Sequence, residues 1–206
     1  ARTVLFWCDD NPGFRWKATG ELRTKAEEAT LLMLALSILL SKDGERIGAL
    51  GSGRAASFGK RAVDRLSEEL ARGTGGKFPS PPRSAATLIV ASDFYDPVPE
   101  WRARLAPLAG KCTEGVLLAV SSPVEVDFPF EGRVKLHRPG ATLSRIFGRA
   151  ETMREEYHRR FAEQRDALRE LTNRMGWRYV SHVSGQPLLQ SAARLKAQLE
   201  SFGAKG

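Results

Sequence analysis

Short apolar runs rich in β-branched and aromatic residues alternate along this chain with longer segments at helical spacing. Residues 3–8 (TVLFWC) form a run that reads as a strand buried on both faces. Asp9-Asp10-Asn11-Pro12-Gly13 ends it with turn chemistry. The spacing predicts a helix over 21–42, stopped by Asp43-Gly44; its middle, LLMLALSILL, is apolar nearly all round and belongs against a sheet. A second strand is predicted over 46–50 (RIGAL), followed by the glycine-rich GSGRAASFG. Ala62, Val63, Leu66 and Leu70 give 60–71 helical spacing, and 73–82 (GTGGKFPSPP) reads as a surface loop. Residues 86–92 (ATLIVAS) make the plainest strand, closed by Asp93 and a turn at Phe94-Tyr95-Asp96-Pro97. A proline-opened helix is predicted over 99–109 and a buried strand over 115–120 (GVLLAV). An antiparallel hairpin around Pro139-Gly140 fits 131–147, and a long amphipathic helix fits 149–174. A last strand over 177–182 and a closing helix over 187–202 complete the chain.

This alternation implies an α/β fold: a doubly wound, mostly parallel central sheet with helices on both faces. The reading is a single domain over residues 1–206, with a β-hairpin insertion near 131–147. Ligands of such sheets gather at the carboxyl ends of strands. That rule singles out Asp9 and Asp10 after the first strand, and Asp93 and Asp96 after the 86–92 run.

Composition narrows the classes. With 206 residues, 42% of them apolar, the chain builds a core without disulfides or metal, and a disordered or collagen-like chain is excluded. The longest apolar run, 31–40, is about half a membrane span, so membrane insertion is not expected. The net charge of +8 is uneven, since residues 130–206 carry 15 Lys and Arg against 8 Asp and Glu. Such a bias suits nucleic acid or another acidic partner. Its arginines, however, alternate with Glu151, Glu155, Glu156, Glu163, Asp166 and Glu170, which predicts ion pairs along a solvated helix rather than a phosphate track. Two cysteines and three histidines exclude a disulfide framework and a cysteine-rich zinc site. Cys8 and Cys112 fall at opposite sheet edges and are expected to be free. No leader pattern precedes the first strand, and a cytoplasmic location is expected. Ala1 in place of an initiating Met, directly before a core strand, suggests a fragment.

Candidate chemistry is sparse. Asp9-x-Asn11-x-Gly13, approached by Asp93, offers two carboxylates and an amide carbonyl, which suits a hard cation such as magnesium. The same residue types also make turns and caps at strand ends. Gly51-Ser52-Gly53 lacks the Gly-Lys-Ser/Thr of a phosphate loop. His137, His158 and His182 have no sequence partner and are expected to be structural or solvated. Phe94, Tyr95 and Trp101 fit either packing under a loop or contact with a partner.

In order, FWCDDNPGF, GERIGALG, LIVASDFYD, VSSPVEVDFPFEGRV, GRAETMREEYHRRF and GWRYVSH resemble the bacterial family called domain of unknown function 58. That family is related to the von Willebrand factor A domain and is typically found beside MoxR-type ATPases. The most specific parts are the SDF ending of a strand, and Pro123-x-Glu125 followed by Phe128-Pro129-x-x-Gly132. Relatives carry an upstream segment with Gly-Asp and Ile-Asp-Trp motifs, which this sequence lacks. The resemblance implies a Rossmann-like, three-layer von Willebrand factor A-like fold. In those domains the first strand ends in Asp-x-Ser-x-Ser, and these residues, with a threonine and a second aspartate, hold a divalent metal. Asp9, Asn11 and Asp93 take those places here, Gly13 offers no ligand, and Ser57 is the nearest candidate for the threonine. The implied site is weak or vacant, with no cofactor or weakly bound Mg2+ or Mn2+. Asp9 and Asp93 would repel each other there, so Asp93→Asn is expected to leave stability unchanged or slightly raised.

The function implied is a non-enzymatic protein-interaction module, an accessory of a MoxR-type AAA+ ATPase system, with a degenerate metal-ion-dependent adhesion-type site at the strand carboxyl ends. A partner carboxylate would complete the shell of a metal or of a metal mimic. Asp10, Phe14, Phe94, Tyr95 and Asp96 are the expected partner-binding residues, and nucleic acid is not the expected partner. The alternative is a metal-dependent phosphohydrolase or phosphate-binding protein using Asp9, Asp10 and Asp93. Against it, no general base, lysine or full ligand set is visible near those aspartates in sequence.

Overall fold

The computed structural model describes residues 1–112, 114–132, 134–137, 144–147 and 151–203. Its elements are β1 (Thr3–Cys8), α1 (Lys25–Lys42), β2 (Arg46–Ala49), α2 (Lys60–Arg72), β3 (Thr87–Ser92), α3 (Val98–Ala109) and β4 (Glu114–Ser121). After these come α4 (Pro123–Asp127), β5 (Val134–His137), β6 (Ser144–Phe147), α5 (Glu151–Arg174), β7 (Arg178–Val183) and α6 (Leu188–Gly203). Five strands form one sheet in the order β2-β1-β3-β4-β7, every neighbouring pair parallel. The hairpin forms apart from it, with β5 and β6 pairing antiparallel as a separate ribbon. Its expected turn at Pro139-Gly140 lies outside the described residues.

Strict alternation of side chains across each strand sorts the core into two halves. Val4, Phe6 and Cys8 of β1, with Ile89 and Ala91 of β3, pack with α1, α2 and α6. Leu5, Trp7, Leu88 and Val90 pack on the opposite face with α3 and α5. The fold is thus a three-layer, doubly wound α/β structure. One side of α1 meets the sheet and the flanking helices, where Leu32, Met33, Leu36 and Leu40 are fully buried, whereas Leu31 and Ile38 on its outer side stay exposed. One glycine is set by close approach: a β-carbon on Gly115 would lie 2.3 Å from the Trp177 ring, whose Nε1 donates to the Cys112 carbonyl at 3.0 Å.

Helix α1 begins at Lys25 rather than near residue 21, because Gly20 turns the chain at φ +90° and Thr24 with Glu27 builds a capping box. Helix α4 has no counterpart in the sequence reading. Ser122 and Glu125 form a second capping box, and Pro123 occupies the first turn. The signal was present as Ser-x-x-Glu, hidden by the shortness of the helix. Among the described residues no helix is long and apolar enough to cross a membrane.

Candidate functional site

Parallel strands bring their carboxyl ends to one edge, and the pairing of Cys8 with Ala91 sets Asp9 beside Ser92, one residue before Asp93. The loop after β1 is organised by its own side chains. Asp9 accepts from the Asn11 backbone N–H at 3.0 Å, from Asn11 Nδ2 at 2.8 Å and from the Ser92 hydroxyl at 2.7 Å. Asn11 Oδ1 in turn accepts the Phe14 N–H at 2.8 Å. The carbonyl oxygen expected to face a metal therefore closes a turn instead. Gly13 has a steric role: a β-carbon there would lie 3.1 Å from Asn11 Oδ1 and 3.3 Å from Asp93 Oδ2.

Asp93 meets a lysine from another part of the chain. Lys25 Nζ lies 3.1 Å from Asp93 Oδ2 and 2.6 Å from Glu125 Oε1, and 4.9 Å from the centre of the Tyr95 ring. The lysine side chain is 1% exposed, that of Asp93 6% and that of Glu125 15%. The expectation of two opposed aspartates with no lysine near them is thus corrected. Donors from Asn11 and Ser92 surround Asp9, and a buried ammonium neutralises Asp93. Glu125 is held by the Ser122 N–H at 2.8 Å, and its carbonyl accepts the Tyr157 hydroxyl at 2.7 Å. Burial, reinforced by the Glu125 charge, pushes the Tyr157 phenol up to about 12. Burial, with Glu125 next in weight, also raises Tyr95.

Asp10 turns away from this group. Its carboxylate accepts from the Thr74 hydroxyl at 2.7 Å and from the N–H groups of Thr74 and Gly76 at 3.0 Å each, with Arg15 at 3.7 Å. Burial opposes its ionisation, but these bonds and Arg15 prevail and hold the carboxyl below its ordinary range. Asp96 pairs with Arg104 at 2.8 Å. Of the other expected partner-binding residues, Phe14 and Phe94 are completely buried and belong to the two core halves, so neither faces outward. Phe94 adopts a left-handed backbone (φ +54°), with its N–H on the Ser92 hydroxyl, and sets its ring centre 4.6 Å from that of Trp101 at a tilt of 59°. Tyr95 is 43% exposed, and Leu22, on the segment leading into α1, is 85% exposed.

Ser57 does not join the site. It bridges Ile47 on the outer side of β2, and Ile47 is in register with Val4. Two strand spacings and five residues along β1 then separate it from Asp9, on the order of 15–20 Å. Among the described residues no group of three His, Cys, Asp or Glu side chains is placed to hold a metal ion.

Two further features were not visible in the sequence. Buried Glu28 on α1 accepts from Arg23 at 2.8 Å and the Gly185 N–H at 3.2 Å, and lies 3.1 Å from His182 Nε2. His182 is thereby a structural residue joining α1 to β7, with Ser191 on its other nitrogen at 3.1 Å. A cavity of about 360 Å3 opens at the ends of β1 and β2, walled by Trp7, Leu50, Leu70 and Pro79, with Arg72 and Lys77 among its lining. The basic α5 behaves as a solvated helix: Arg159, Arg160, Arg169 and Arg174 all pair with carboxylates three or four residues away.

No curated protein and no solved structure matches the chain. A family model, described as protein of unknown function DUF58, matches residues 1–167 and so takes in β1 through most of α5, including Lys25, Asp93 and Glu125; the GWRYVSH segment lies beyond the match. The chain therefore belongs to the DUF58 family.

Proposed function

We propose that this chain is a non-enzymatic protein-interaction module, a cytoplasmic accessory of a MoxR-type AAA+ ATPase system, and that it docks its partner on the carboxyl edge of the sheet. One observation carries the reading. Each aspartate at that edge is engaged by a donor within the fold: Asp9 by Asn11 and Ser92, Asp10 by Thr74 and Gly76, Asp93 by Lys25, and Asp96 by Arg104. Carboxylates so engaged fix loops in place, which suits a rigid recognition surface. Proton transfer or metal-assisted hydrolysis instead requires a base or ligand set facing substrate. Exposed Leu22 and Tyr95 supply apolar anchors on the segments that these contacts hold.

Calorimetric titration of the purified chain with a MoxR-type ATPase from the same organism tests the reading. Direct binding is expected, weakened about tenfold or more by Leu22→Asp or Tyr95→Ala, as for central anchors of an interface. Absence of binding would refute it. So would magnesium-dependent hydrolysis of p-nitrophenyl phosphate that disappears in Asp9→Ala, which would establish the phosphohydrolase instead.

A further inference from the structure

The resemblance to von Willebrand factor A domains implies a divalent cation held by Asp9, Asn11 and Asp93, and the side chains present do not fit one. We propose that the Lys25 ammonium is the resident cation of this site, and that the site takes no divalent metal while the lysine is in place. The inference rests on reading this edge as a degenerate adhesion-type site, and it concerns the cation alone.

Geometry closes the ammonium on three sides: Glu125 Oε1 at 2.6 Å, Asp93 Oδ2 at 3.1 Å and the Tyr95 ring face at 4.9 Å. Lysine is almost never fully buried unless paired. This one also stands at the first residue of α1, where the positive end of the helix dipole disfavours a cation. Two carboxylates, one just past β3 and one on α4, outweigh both costs. A hard divalent ion would need free oxygen lone pairs at about 2.0–2.6 Å. Asn11 Oδ1 is already taken by the Phe14 N–H, and Asp9 Oδ2 by Asn11 and Ser92. A doubly charged ion beside the ammonium would also meet like-charge repulsion in a poorly solvated place. Gly13 fits the same picture, because a β-carbon there would press on Asn11 Oδ1 and Asp93 Oδ2 where the two side chains converge. The lysine thereby ties α1, β3 and α4 into one block, and an acidic partner group is not captured by coordination here.

The test uses the full chain and two probes, Mn2+ counted by the electron paramagnetic resonance of the free ion, and Mg2+ in thermal melts. The parent is expected to show no saturable Mn2+ site at about 1 mM and no melting shift beyond about a degree in 10 mM Mg2+. Lys25→Ala leaves two buried carboxylates without a counter-charge; it should melt lower, bind Mn2+ at least about tenfold more tightly than the parent, and recover stability with the ion. Adding Asp93→Asn should abolish that gain. Lys25→Gln, which retains a donor for Glu125, serves if the alanine variant does not fold, and the parent measurement needs no variant at all. One saturable Mn2+ per parent chain, lost in Asp9→Ala, would overturn the proposal, as would a folded Lys25 variant that gains no affinity. No ATPase is present in these measurements, so their failure and a failure of partner docking are separate results.

Discussion

Replacing Asp93 with asparagine should destabilise this protein, whereas two opposed aspartates would have made the change neutral or favourable. The substitution keeps size and removes the charge that faces Lys25 at 3.1 Å. At that distance and an effective dielectric of about 20, the lost attraction is about 5 kcal/mol. Part of it returns, because the carboxylate no longer has to be desolvated and no longer repels Glu125. Breaking a buried pair outright costs about 3–5 kcal/mol. Here Lys25 retains Glu125 at 2.6 Å. The net expectation is therefore a loss of about 2–3 kcal/mol, at or below the lower end of that range. For a chain of this size that corresponds to a melting point lower by about 5–10 °C. Urea unfolding at neutral pH, analysed by linear extrapolation, measures it directly. The double variant Lys25→Met with Asp93→Asn should cost less than the sum of the single changes, which isolates the coupling. Stability equal to or above the parent's in Asp93→Asn would refute the ion-pair reading and restore the repulsion argument.

Three other outcomes follow from the packing and the charges. Gly115→Ala places a methyl 2.3 Å from the Trp177 ring and should cost about 1–3 kcal/mol or more by overpacking, so a variant as stable as the parent in urea would show that the indole moves freely. Burial, only partly opposed by the bond to Thr30, pushes the Cys8 thiol up to about 12, so iodoacetamide at mildly alkaline pH should leave Cys8 unmodified in the native protein and react once it is unfolded; labelling at a free-thiol rate would refute its burial. Thr74→Ala removes the hydroxyl that bonds Asp10 at 2.7 Å and should cost about 1–3 kcal/mol at neutral pH. Because the folded Asp10 carboxyl is held low, its stabilisation is complete above the unfolded value of about 3.9 and is lost as pH falls through the folded one. The Thr74→Ala difference should therefore shrink in acid, and a difference that grows on acidification would exclude the Asp10 contact as its source.

The periodicities along the chain were enough to place the strands and long helices, and the alternation of the two types implied the doubly wound sheet. Those signals are local: an apolar repeat of two or of 3.6 residues reports which face an element buries, whatever its neighbours. The same local chemistry located Asp9, Asp10, Asp93 and Asp96, because strand ends in a parallel sheet share one edge. Asp93, however, pairs with Lys25 across 68 positions, and Glu125 reaches the same lysine across 100. No spacing rule links them, and Lys25 in sequence is one polar residue at the head of an apolar helix. Glu28 and His182 meet across 154 positions for the same reason. Phe14 and Phe94 sit in polar turns and read as surface anchors, yet the backbone turns both rings into the core. Ser57 follows a glycine-rich loop at a plausible distance in sequence, but β2 at the edge of the sheet carries it away from Asp9. Sequence therefore determined the strands, the long helices and the edge that gathers charge, but not the short α4. The strand order and the turns between elements decided which cation faces which carboxylate, since electrostatic pairing depends on separation in space and on burial, which no local pattern encodes.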